Sequence, residues 1–204
     1  MLAPLDELLP GIWHWTARHP NLGIDVSSYY LVEPAALIDP MAPPGVLDRL
    51  AQLGPPREVL LTNRHHYRDC ATVFGRFSCP VRASRPGMHE FGGASPVQPF
   101  DFGDELAEGA VIAHEVGVIC PDETALHIPS LRALAVADGV IHYGEDLDFV
   151  PDQYLDDPPS TKRALKDAYG RLVEELDFDH LLLAHGTPII ANGRDALSRF
   201  ASAG

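Results

Sequence analysis

Leu181–Ile189 reads LLLAHGTPI, four apolar residues stopped by a histidine and a glycine. A run this short and this apolar, bounded by Gly and Pro, fits a buried strand. A polar residue just past such a strand is fixed by the strand and exposed by the loop, which makes His185 a candidate for function. The same construction recurs three times upstream. AALI (35–38) ends at Asp39, EVLLT (58–62) runs into Asn63–Asp69, and RALAVA (132–137) ends at Asp138. Singly, each has an ordinary explanation: a hydrogen-bonded structural histidine, or a turn at Asp138-Gly139. Together, in this order, they point to one functional edge.

Around these strands the chain alternates short elements. β-rich stretches are expected at Ile12–Ala17, Ser28–Glu33 and Ala35–Ile38, then a helix over Val46–Leu53 stopped by Gly54-Pro55-Pro56. Glu58–Leu61 reads as a strand, followed by a helix ending at Phe77 and a strand around Pro80–Ala83. Val97–Phe100, Ala110–Glu115, Glu123–Ile128 and Ala133–Val136 are further strands. A long amphipathic helix fits Thr161–Leu176 with Ser160 as N-cap, and Arg194–Ala201 a last helix. Pro and Gly total 36 residues spread along the chain, which punctuates many short elements. Strand blocks alternating with helices in both halves predict two sheets covered by helices.

The length, 204 residues, suits one domain spanning 1–204 with a core of its own. No run of about eighteen uncharged apolar residues occurs, so no membrane span is expected. The start, MLAPLDELLPGIWHW, lacks a basic stretch followed by an apolar core, so the expectation is a cytoplasmic protein. The net charge of −14 repels a phosphate backbone and disfavours nucleic acid as a partner. A small molecule is left as the ligand class. Cys70, Cys79 and Cys120 are an odd number at unrelated spacings, expected as free thiols in a reducing compartment.

LIDP (37–40), LLT with its histidine-containing loop (60–69), FGDEL (102–106), ALAVADGVI (133–141) and LLLAHGTPI (181–189) together resemble the metallo-β-lactamase fold superfamily. The resemblance covers nearly the whole chain and implies a four-layered αββα sandwich. Members of that family usually bind two metal ions, commonly zinc, at one edge. Their first motif, Thr-His-x-His-x-Asp-His, falls on Thr62–Arg68: Thr62 and His65 match, but Asn63, Tyr67 and Arg68 stand where ligands belong. Val118 and Ile119 occupy the region of the next histidine, with Cys120 beside it. Asp138 matches the bridging carboxylate and His185 the last histidine.

By this resemblance His65, Asp138 and His185 remain as metal ligands. Neither ion keeps a full set, since a catalytic zinc site needs three protein ligands and an open position. At most one divalent ion, zinc by preference, or none is expected. His66, Asp69 or Cys120 could complete the set, although His66 also reads as a hydrogen-bonded loop residue and Cys120 as a small buried one. Arg68 cannot ligate and brings a permanent positive charge. Two readings are open for it: a two-pronged pair with Asp138 in place of the missing cation, or a surface side chain that is free or paired with Asp69. The aromatic residues Trp13, Trp15, Tyr29 and Tyr30 read as core in preference to pocket lining, and Glu123 as a solvated turn carboxylate in preference to a pocket acid.

Two functions follow as expectations. One is a family member with a degraded two-metal site, weakly active or non-catalytic. The alternative is a mononuclear metal-dependent hydrolase of an ester, thioester, lactone or amide bond.

Overall fold

The computed structural model describes residues 5–92 and 97–203. The chain begins with strands β1 (Asp6–Leu9), β2 (Ile12–Arg18), β3 (Asp25–Leu31) and β4 (Ala36–Ile38), paired antiparallel in succession. Helix α1 (Val46–Leu53) crosses over to β5 (Glu58–Leu60), and α2 (Cys70–Phe77) to β6 (Val81–Ser84). Strand β7 (Val97–Phe100) follows, and β4 through β7 pair in parallel. These seven strands form one sheet in sequence order.

The second sheet has the order β12-β11-β10-β9-β8. Its strands are β8 (Glu105–Leu106), β9 (Val111–Glu115), β10 (Thr124–Ile128), β11 (Ala133–Val136) and β12 (His180–Leu183). The last two are parallel, a pairing that needs the long crossover supplied by helix α3 (Pro158–Glu175) between them. Helix α4 (Gly193–Ser202) closes the chain.

The apolar pattern explains the layering. Ile12, Tyr29, Leu31 and Ile38 of the first sheet meet Ala113, Leu126, Ala135 and Leu182 of the second in a core between the sheets. Tyr30, Leu37, Val59 and Val81 face the other way, against Val46 and Leu50 of α1 and Val73 of α2. Leu134, Val136, Leu181 and Leu183 pack on Leu165, Tyr169 and Leu172 of α3 and Leu197 and Phe200 of α4. Alternate residues along a strand point to opposite faces, so adjacent Tyr29 and Tyr30 are both buried, in different layers. Each such large side chain contributes about 1.5–3 kcal/mol relative to exposure.

Most expected elements stand within a residue or two of their observed bounds. Four strands or helices differ. β1 has no strong apolar alternation and lies outside the expected strands, as does the two-residue β8, and β3 starts at Asp25, three residues before the expected Ser28. The long helix starts at Pro158, not Thr161: Asp157 is the cap, accepting from Ser160 N at 3.1 Å, with prolines in the first turn. Among the described residues no helix is long and apolar enough to cross a membrane. All three cysteines are buried free thiols.

The parallel strands bring their C-terminal ends to one edge, where the two sheets are hydrogen-bonded to each other. Ser27 N donates to Ala184 O at 2.9 Å, Thr124 N to Thr62 O at 2.8 Å, and Tyr29 Oη to Leu183 O at 2.7 Å. Asp39, the loop after β5, Asp138 and His185 all follow strands that end there.

Candidate metal centre

Asp39 leaves β4 in the left-handed region, φ 48°, a conformation that short polar side chains tolerate. Its buried carboxylate turns toward the loop after β5. Thr62 N donates to Oδ1 at 2.9 Å, and the Thr62 hydroxyl to Oδ2 at 2.5 Å. His66 Nδ1 lies 2.9 Å from the same Oδ2 and 2.8 Å from Thr62 Oγ1. The loop can present His66 because residues Arg64–Tyr67 wind into a 3-10 turn, capped by the Asn63 side chain accepting from His65 N at 2.9 Å. With about three residues per turn, this winding carries His66 inward and leaves His65 exposed.

The other imidazole nitrogen of His66, Nε2, is 3.1 Å from Asp138 Oδ1. His185 Nε2 reaches the same oxygen at 2.7 Å. The Asn63 amide donates to the second oxygen, Oδ2, at 2.7 Å. His66, Asp138 and His185 therefore each direct one ligand-capable atom at a common point, all within 4.8 Å of one another. His185 Nδ1 is buried without a hydrogen-bond partner. Gly186 is required beside it: φ is +93°, and a Cβ would stand 2.1 Å from the His142 carbonyl oxygen.

Electrostatics follow from the burial. Burial alone would lower the pKa of His66, but the charges of Asp138 and Asp39 win and raise it to about 9. Burial would also keep Asp138 protonated, yet the His66 charge and the hydrogen bonds from His185 and His66 hold its carboxyl well below the ordinary range. The same balance, burial against the His66 charge, leaves the Asp39 carboxyl below its ordinary value.

Arg68 follows the turn in a strained backbone conformation, φ 41° and ψ −117°. Its Nη1 donates to two backbone carbonyls, Ser27 O at 2.6 Å and Asp39 O at 2.7 Å, and Nη2 is buried without a partner. The two-pronged pair with Asp138 is not formed, because the strand-end carbonyls capture the guanidinium first. Its charge still acts on both Asp39 and Asp138. The cation in direct contact with Asp138 is the His66 imidazolium.

Of the residues expected as ligands, Asp138 and His185 are brought together and His65 is not. His65 lines a surface depression of about 310 Å³ with Arg64, Tyr67, Glu90 and Phe91. His66, which the sequence offers only as one of three residues that could complete the set, takes the inward place expected of His65. Its signal is the spacing Thr62-x-x-x-His66, which suits a single turn that folds the histidine back onto the threonine. Asp69 accepts from Ala42 N at 2.7 Å and supports the loop after β4. Cys120 is buried, and burial pushes its thiol pKa up, as for an inert core residue. Glu123 is not a solvated turn carboxylate: it is fully buried, and burial with the nearby Asp138 charge raises its pKa to about 7.

No protein-family model and no curated protein matches the chain by sequence. Solved structures do match in shape. DIM-1 metallo-β-lactamase superposes with a TM-score of 0.75 at 12% identity, over 98% of this chain and 97% of that one. A metallo-β-lactamase from Erythrobacter litoralis gives 0.73 at 14% identity, over 98% and 96%. Rubredoxin oxygen:oxidoreductase from Desulfovibrio gigas gives 0.70 at 15% identity, over 97% of this chain; the chain spans 61% of that protein. Two sheets face to face, helices on both outer faces and a polar centre at the strand tips give this chain the metallo-β-lactamase fold.

Proposed function

We propose that this chain is a metallo-hydrolase-like protein with one metal centre, formed by His66, Asp138 and His185, in place of the paired-ion site its fold usually carries. The observation that carries the reading is the convergence of two imidazole Nε2 atoms on one oxygen of Asp138. Two histidines and a carboxylate are a recognised three-ligand set for a transition-metal dication. The surroundings suit it. Asp39 holds Nδ1 of His66, the outer contact that orients a ligating histidine and leaves Nε2 facing inward. Asn63 occupies Oδ2 of Asp138, so Oδ1 alone faces the imidazoles.

Charge supports one ion and disfavours two. Asp39 and Asp138 supply two negative charges, and Arg68 returns one positive charge that cannot be lost. A dication in a hydrolase makes water more acidic and polarises a carbonyl group. The substrate class best suited to that chemistry is an ester, thioester, lactone or amide.

A second reading has its own observation. Arg68 and the His66 imidazolium already balance Asp39 and Asp138, so the pocket is electrically closed without any ion. On that reading the site is degraded and the protein binds a small molecule without turning it over. Elemental analysis of untagged protein, with a zinc titration followed by thermal denaturation, separates the two. About one metal per chain, and a melting temperature that climbs with zinc, supports the single-metal centre. No retained metal and no shift at millimolar zinc supports the second reading.

A further inference from the structure

Asp122 and Glu123 are consecutive acids, both at least 99% buried, and they face opposite ways. Asp122 faces the turn that carries His66. It accepts from Arg64 N at 2.6 Å through Oδ2 and from Arg64 Nη1 at 3.0 Å through Oδ1. Gly87 leaves room for it, since a Cβ there would stand 2.6 Å from Asp122 Oδ2. Glu123 faces the turn that carries Asp138. Its Oε1 accepts from Gly139 N at 2.8 Å and its Oε2 from Ile119 N at 3.1 Å. Gly139 is itself tightly enclosed, with a Cβ there meeting Tyr169 Oη at 2.6 Å and Glu123 Oε1 at 2.9 Å. The next residue, Thr124, donates its N–H to Thr62 O at 2.8 Å.

Three successive residues thus bind the His66 turn of the first sheet and the Asp138 turn of the second. Burying two carboxylates is costly unless each is satisfied, and here each accepts a backbone N–H within two residues of a centre residue, Arg64 N for Asp122 and Gly139 N for Glu123, with the Arg64 guanidinium and Ile119 N filling the second oxygens. Neither acid touches His66, Asp138 or His185 through a hydrogen bond of its own. We infer that Asp122 and Glu123 are positioning residues: they set the separation of His66 from Asp138 across the two sheets, and with it the centre's capacity to hold a metal. This rests on the single-metal reading for the metal, but the positioning itself is present in metal-free protein.

The test uses Asp122→Asn, Arg64→Ala, Glu123→Ala and Glu123→Gln, with Leu172→Ala as a core variant of comparable destabilisation remote from the centre. Arg64→Ala is the mild variant, because it removes the guanidinium contact and keeps the backbone one. Two readouts are taken: cobalt(II) affinity with its visible absorption spectrum, and the downfield imidazole N–H proton resonances of chelator-treated protein. In Asp122→Asn and Glu123→Ala cobalt binding is expected to weaken about tenfold or more with an altered spectrum, and the downfield resonances to shift or vanish; Arg64→Ala should move both readouts in the same direction by less. Glu123→Gln, which keeps one acceptor oxygen, should fall between Glu123→Ala and the parent. Leu172→Ala should lower the melting temperature and move neither readout. If the acid variants melt lower while affinity, spectrum and resonances stay as in the parent, the inference is overturned. If the parent binds no cobalt, the single-metal reading fails, and the resonances alone decide for or against the positioning role.

Discussion

The side-chain amide of Asn63 donates to Oδ2 of Asp138 at 2.7 Å, across the gap between the two sheets. That bond fixes which oxygen of Asp138 meets the imidazoles. Asn63→Asp would set two carboxylates against each other at hydrogen-bond distance. Metal-free protein should lose about 1–3 kcal/mol in urea denaturation. Zinc, titrated into the same variant, should bind more tightly than in the parent. Unchanged stability would mean that the amide contributes nothing.

His66 and His65 are neighbours in sequence with opposite environments, buried and exposed. His66→Ala should weaken zinc binding on the order of a hundredfold, about 2.7 kcal/mol. His65→Ala should leave it within about twofold. Isothermal titration of both variants checks the pair; the reverse order would restore His65 as the ligand.

Arg68 sets a positive charge beside two carboxylates and anchors two strand-end carbonyls. Arg68→Met should therefore act in two directions. Stability without metal should fall by roughly 2 kcal/mol or more, since hydrogen bonds from a charged donor are lost. Affinity for a dication should rise at least tenfold, about 1.4 kcal/mol, as the repulsion disappears. Denaturation in chelator and a metal titration measure the two effects separately.

His14 stacks on Tyr29 with ring centroids 5.0 Å apart, and its Nε2 lies 3.1 Å from Ser27 Oγ. Burial lowers its pKa to about 4, with Asp6 opposing. The folded state thus binds this proton less well than the unfolded chain does. The resulting stability is fully present above the ordinary value of about 6.5 and is lost as pH falls toward 4. Glu123, whose raised pKa acts in the opposite direction over the same window, is common to parent and variant, so the parent should lose more melting temperature in chelator on going from pH 6.5 to 4 than His14→Gln does. Equal slopes would remove His14 as the source.

The strand blocks were legible because their apolar runs are short and end in polar residues at the same edge. ALAV at 133–136 is bounded as observed, as is the helix at 46–53. What the sequence left open was which loop histidine turns inward. His65 and His66 are adjacent, and the choice depends on the 3-10 winding that Asn63 caps and Asp122 anchors through Arg64 N. For Glu123 the sequence favours the solvated reading over the pocket acid for a similar reason. Its acceptors are satisfied by the N–H groups of Ile119 and Gly139, and Gly139 lies sixteen residues away in sequence. Backbone partners of that kind leave no residue signature, so a buried carboxylate looks like a solvated one.

The bonds that join the sheets at Ser27, Tyr29, Thr62 and Thr124 run along the same seam as the ligand-capable residues. The Tyr29 hydroxyl makes the one side-chain bond among them, so under the proposed function random mutagenesis scored by lost metal retention would return Tyr29 alongside His66 and His185. Its phenotype would come from a parted seam and not from a missing ligand, and abundance in cells would fall with it. A screen that scores protein level next to metal retention would sort the two kinds of position.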